Sequence, residues 1–155
     1  MIVLSHYQTE KLIQHKGEIT SVEISLDLGL STLHARLDAD GVEFPIGNYL
    51  TWELLLEIVD NENNCFRVSG GEIETIQSYS ETFERVYTLY PTQSAPTMLV
   101  SGIPMHRIKD TNPWRDTQSK IKALGKVYGH ILDTATGLGY TAIQVAKTAS
   151  QVTTI

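Results

Sequence analysis

The stretch that most limits what this chain can fold into is residues 129–155, which read GHILDTATGLGYTAIQVAKTASQVTTI. A short apolar run (His130, Ile131, Leu132) ends in a carboxylate, Asp133. A loop with two glycines, Gly137 and Gly139, follows. Ala142, Val145, Ala146 and Ala149 then fall at i, i+3, i+4 and i+7, the spacing of one helix face. Val152 opens a second run rich in β-branched residues. Strand, glycine loop, helix and strand in that order predict the first half of a nucleotide-binding α/β sheet.

The residue types suit a ligand loop. Glycine lets the backbone turn sharply and approach a ligand closely, because no Cβ intervenes. A loop that enters a helix meets unpaired N–H groups and the positive end of the helix dipole. A carboxylate at a strand end accepts hydrogen bonds from ligand amine or hydroxyl groups. Gly137, Gly139 and Ala142 also match the dinucleotide pattern G-x-G-x-x-G/A. Asp133 disfavours that reading, since a carboxylate is unwelcome beside a pyrophosphate. It suits a ligand that carries an ammonium group.

The run Ile131, Leu132, Asp133, then Gly137 and Gly139, resembles the first motif of class I S-adenosylmethionine-dependent methyltransferases. This chain departs from that motif once: Ala135 stands where a glycine is usual. The wider segment from Leu132 to Ala142, preceded by Met105, His106 and Arg107, is similar to a group of predicted methyltransferases known mostly from archaea. The resemblance covers roughly the last fifty residues. It implies a cofactor, S-adenosylmethionine, lying against Gly137, Leu138 and Gly139. It implies that Asp133 meets the amino acid end of that cofactor. Thr134, Ala135, Thr136 and Tyr140 complete the candidate cofactor-binding set. Arg107 is a candidate partner for the cofactor carboxylate, and His106 a candidate base. The methyl acceptor stays open, because the groups that align it in such enzymes lie further along the fold.

The rest of the chain carries a different period. From Ile19 to Ile46 it is two: Val22, Ile24, Leu26 and Leu28, then Leu33, Ala35 and Leu37, then Val42, Phe44 and Ile46 alternate with polar residues. Asp40-Gly41 is a turn signal. This predicts an antiparallel meander, with His34 on its polar face. Before it, Val3, Leu4, Tyr7, Leu12 and Ile13 suit a short helix, with His6 and His15 in solvent. After it, Thr51 can cap a helix with Trp52, Leu55, Leu56 and Val59 on one stripe. Strands are expected at 65–68, 73–76, 85–90 and 98–103, with a polar link before Arg85. Asn112-Pro113 reads as a turn. A helix follows from Asp116 to Leu124, capped by Asp116 or Thr117 and ended by Gly125.

The expected fold class is an α+β N-terminal domain of antiparallel strands with one or two helices over residues 1–103. Over 104–155 the start of an α/β Rossmann-like methyltransferase domain is expected. Two βα units cannot bury a doubly wound sheet, so the chain reads as the N-terminal portion of a longer protein. Alone, it is expected to be inactive and to bind the cofactor weakly or not at all.

Bulk properties exclude some classes. With 155 residues and a net charge of −6, a broad nucleic-acid surface is disfavoured. No apolar run is long enough for a membrane helix, and no metal-ligand spacing is present, so no metal is expected. Cys65 is the only cysteine, which rules out an internal disulfide and makes the cytoplasm the default location. Homo-oligomerisation stays open. Competing readings are an aminopropyltransferase related to polyamine synthases, a non-catalytic binding module with a truncated α/β remnant, and, more distantly, a nicotinamide-dependent dehydrogenase.

Overall fold

A computed structural model gives the architecture, and it describes residues 2–45 and 47–155. Ile46, counted in the alternating pattern, lies outside the described residues. The chain order is β1 (Ile2–Leu4), α1 (His6–Ile13), β2 (Ser21–Ile24), β3 (Leu33–Leu37), β4 (Gly41–Phe44), β5 (Asn48–Thr51), α2 (Trp52–Asp60), β6 (Phe66–Ser69) and β7 (Glu72–Thr75). It continues with β8 (Gln77–Ser80), β9 (Arg85–Tyr90), β10 (Thr97–Val100), β11 (Ile103–Pro104), α3 (Pro113–Leu124), β12 (His130–Asp133), α4 (Tyr140–Val145) and β13 (Gln151–Thr154).

These strands form four sheets among the described residues: β1-β6-β7, β2-β3-β4-β5, β11-β10-β9-β8 and β12-β13. Within the first three sheets every neighbouring pair is antiparallel. Only β12 and β13 form a parallel ladder, with His130 opposite Gln151 and Asp133 opposite Thr154. The expected Rossmann-like α/β fold is therefore overturned. Mostly antiparallel sheets with four short helices make up the described residues. The physical reason is connection length. Period-two runs joined by tight turns pair with their neighbours antiparallel, whereas parallel pairing needs a crossover. The chain supplies such a crossover between β12 and β13, and its helix has only six residues.

The apolar core sits in residues 2–68. Ile2, Leu4, Leu12, Ala35, Leu37, Val42, Leu50, Leu55 and Ile58 are fully buried there, and Phe44 nearly so. The meander buries alternate residues as period two requires, and His34 is exposed as expected. Trp52 and Leu55 are buried as the helix stripe predicts, but Ile58 completes that face rather than Leu56, which is 37% exposed. Trp52 Nε1–H donates to the Asp38 carbonyl at 3.2 Å, so the indole is both core and tether.

Other local expectations are corrected. Val3 and Leu4 belong to β1, paired with Arg67 and Phe66, and not to the first helix. His6 is buried rather than solvated, while His15 is exposed beside Glu18 at 3.1 Å. The polar link before Arg85 contains a strand, β8, paired with β9. The run 98–103 is a hairpin, not one strand. Ser101 and Gly102 adopt φ of 48° and 84°, which a two-residue turn between antiparallel strands needs. Asn112, not Asp116, caps α3: its Oδ1 accepts from Arg115 N–H at 3.0 Å, with Pro113 at the first helical position. Asn112→Ala is expected to cost about 1 kcal/mol in urea unfolding. An unchanged midpoint would show that the cap contributes nothing.

Candidate functional site

The loop after β12 is built by the parallel pairing of β12 and β13. Ile155 N–H donates to the Asp133 carbonyl at 3.0 Å, and Thr136 N–H donates to the Ile155 carbonyl at 3.2 Å. The Thr136 hydroxyl also donates to the Ile155 carbonyl at 3.0 Å and lies against the Thr154 hydroxyl. These contacts make Thr136 a structural member of the turn. Thr134 and Ala135 are exposed, while Leu138 is half-buried.

Gly137 has φ +51° and Gly139 φ +77°, conformations that side chains with a Cβ rarely adopt. Gly139 N–H closes the turn onto the Thr136 carbonyl at 2.7 Å. Ala135 is not among the positive-φ residues, so alanine at the motif's departure is unstrained. With only six residues in α4, little of the expected helix dipole is present.

Asp133 is half-buried at the end of β12. Its contacts are long: Ala135 N–H donates to Oδ1 at 3.4 Å and the Thr154 hydroxyl donates to Oδ2 at 3.3 Å. A carboxylate offers about four lone-pair sites, so acceptor capacity remains for a ligand.

The Met105–His106 segment meets this loop across a long sequence separation. A Cβ built on Gly137 would stand 3.4 Å from Met105 Cε and 3.7 Å from His106 Nε2. The His106 ring is held from below. Its Nδ1 lies 2.9 Å from the hydroxyl of Thr97, a fully buried residue. Burial of the ring and the Lys120 ammonium lower its pKa, and Asp116 opposes them. Asp116 and Lys120 are themselves an ion pair at 2.6 Å.

Tyr140 ties the loop to the antiparallel part of the molecule. Its hydroxyl donates to the Pro96 carbonyl at 2.8 Å. Its ring meets His106 edge-on at 5.3 Å and Trp114 at 6.2 Å. Burial, aided by the nearby Cys65, pushes the phenol up to about 12. Lys147 sits 5.6 Å over the Trp114 ring. Arg107 is exposed and makes no ion pair among the described residues, so it stands at the rim of this arrangement.

The structure thus brings Gly137 and Tyr140 of the candidate loop up against His106, and leaves Arg107 in solvent. The sequence reading missed Thr97, Pro96 and Trp114. A signal for Thr97 existed. Taking Ser101-Gly102 as a hairpin turn puts Leu99 opposite Pro104, and the same register carries Thr97 to His106. Trp114 had no such signal, because α3 reaches Tyr140 only through tertiary packing.

Two open hollows on the surface lie elsewhere. One is lined by Lys16, Glu53, Leu56, Glu57, Asp60 and Asn61, and the other lies between α3 and α4 near Gln144. Among the described residues no three His, Cys, Asp or Glu side chains come together as metal ligands. No helix among them is long and apolar enough to cross a membrane.

No known family profile matches the chain. An uncharacterized protein of Methanocaldococcus jannaschii is 32% identical to it over 162 aligned residues. The alignment covers all of this chain and 54% of that relative, so the chain spans about half the relative's length.

Proposed function

We propose that this chain contributes part of the cofactor site of an S-adenosylmethionine-dependent methyltransferase. The observation that carries the proposal is the loop after β12: a half-buried carboxylate with spare acceptor capacity, then two positive-φ glycines that leave the backbone bare. Asp133 accepts from the ammonium of the cofactor's amino acid end. Gly137, Leu138 and Gly139 lie against the cofactor, and Thr134, Ala135, Thr136 and Tyr140 shape the turn. The sulfonium is already activated, so the protein's part is alignment of the acceptor with the methyl carbon. The acceptor stays unassigned. With a single cysteine and no basic surface excess, the proposed setting is the cytoplasm, without nucleic acid or membrane as partner.

The test is an amide NMR titration of the chain with S-adenosylhomocysteine at millimolar concentration, which detects weak binding. The amides of Asp133, Gly137 and Gly139 are expected to shift, and NAD to leave them unmoved. Asp133→Asn keeps the shape but loses the charge that attracts an ammonium. It is expected to weaken binding about tenfold. Equal responses to both ligands, or a response to S-adenosylhomocysteine that leaves Asp133, Gly137 and Gly139 unmoved, would refute the proposal.

A further inference from the structure

Thr97 and His106 form a pair whose proton placement follows from burial. Thr97 is fully buried, and its hydroxyl has one partner among the described residues, His106 Nδ1 at 2.9 Å. A hydroxyl has one proton to donate. If the ring carried its proton on Nδ1, that N–H would occupy the hydroxyl oxygen as acceptor. The hydroxyl's own proton would then be buried without an acceptor, at a cost of about 1–3 kcal/mol. If the hydroxyl donates to a bare Nδ1, both groups are satisfied. In a neutral imidazole the proton then resides on Nε2.

The other groups around the ring agree with a neutral imidazole. Lys120 and the burial of the ring oppose a positive charge there. Asp116, which would favour one, is already paired with Lys120 at 2.6 Å. On the α4 side the ring meets the uncharged Tyr140 edge-on. Nε2 has no hydrogen-bond partner among the described residues, and it is not one of the buried orphan atoms. It lies beside the open side of the turn, 3.7 Å from where a Cβ on Gly137 would stand.

We propose that Thr97 fixes His106 as the Nε2–H tautomer, so that the Gly137 turn carries a preset N–H donor for a carboxylate oxygen of the bound ligand. The ligand half of this proposal rests on the cofactor reading above, whose amino acid end carries a carboxylate. It assigns that end two partners: Asp133 for the ammonium and His106 for the carboxylate. Thr97 is then a positioning residue. His106 is a binding residue, and not the base that its sequence context suggested, because a protonated Nε2 has no lone pair to accept a proton.

Two measurements on the whole chain separate the parts. Proton–nitrogen correlation spectra of the histidine rings near neutral pH, without ligand, are expected to show His106 with its proton on Nε2. Thr97→Val, which keeps shape but removes the hydroxyl, is expected to give a mixture of tautomers, and Thr97→Ser to restore the single form. A proton on Nδ1, or a tautomer indifferent to Thr97→Val in a folded protein, would overturn the proposal. Next, S-adenosylhomocysteine is expected to shift the Nε2 resonance, and 5′-methylthioadenosine, which lacks the carboxylate, to leave it in place. His106→Gln, whose amide can donate near the same point, is expected to retain most of the affinity, while His106→Ala loses about tenfold. Equal perturbation by both ligands refutes the carboxylate contact alone. Binding of S-adenosylhomocysteine away from this turn removes the cofactor reading, and with it the donor's ligand, whatever the tautomer.

Discussion

Gly41→Ala is expected to lower the unfolding free energy by about 3 kcal/mol, among the larger effects for a single methyl group. A Cβ at Gly41 would lie 2.1 Å from the Leu50 carbonyl oxygen and 2.9 Å from Cζ and Oη of Tyr49. Tyr49 is a side chain and can swing away. Leu50 O is backbone, one rung from the Gly41–Thr51 pair, in the ladder where Val42 faces Leu50. It cannot retreat without opening the β4–β5 pairing, and Phe44, Leu50 and Leu55 would lose their packing with it. Gly41 N–H also donates to Asp38 Oδ1 at 2.9 Å, so the turn moves as well. The difference in urea midpoint between wild type and variant tests this. A loss under about 1 kcal/mol would mean that the strand pair deforms more freely than its hydrogen bonds imply.

Alkaline pH is expected to act on a different part of the molecule. Cys65 is fully buried, and burial pushes its thiol from 9.0 up to about 12. The folded state therefore holds a proton that the unfolded chain releases. The contribution is fully present below pH 9 and is lost as pH rises from there toward 12. Each pH unit in that window removes about 1.4 kcal/mol, about 4 kcal/mol at most over the whole of it. Tyr140 and Tyr49, also raised to about 12, act in the same direction, but only above their ordinary value of 10.0. Urea unfolding at several pH values, with Cys65→Ala beside wild type, isolates the thiol. Wild type is expected to lose stability between pH 9 and 10 and the variant to stay level. Parallel curves would exclude Cys65 as the cause.

Cys65 also bears on the site. Its backbone N–H donates to the Leu89 carbonyl at 3.2 Å, and its carbonyl accepts from Ile76 N–H at 2.9 Å, linking the core to the β8–β11 sheet. Tyr140 lies within electrostatic reach of the same thiol.

The turn after β12 was legible because its signal is local. Asp133, Gly137 and Gly139 sit within one turn, and a strand followed by bare backbone has its own spacing. The wall behind the loop was not legible. Thr97 and His106 meet only because a Ser-Gly turn folds β11 back on β10, and the apolar run 98–103 masked that turn. Strand β8 was missed for a related reason. Its residues Gln77, Ser78, Tyr79 and Ser80 carry no hydrophobic alternation, and the strand exists because β9 offers it hydrogen bonds. His6 was expected in solvent because a polar residue near the chain start usually is. Its burial comes from the packing around α1, which no spacing reveals.

What the sequence determined by itself is therefore the local and periodic part. It set the meander of β2 to β4, the Trp52–Leu55 helix face, the carboxylate-and-glycine turn, and the strands β12 and β13. Alternation and turn residues act over a few positions, and they are written in the order of the residues. Tertiary structure alone decided which class the fold belongs to, because sheet order depends on the pairing of segments far apart in the chain. It also decided that His106 and Tyr140 meet beside one turn, with Thr97 behind the imidazole and Trp114 against the phenol ring. Those contacts join residues whose spacing has no period, and only the packed chain brings them within a few ångströms of one another.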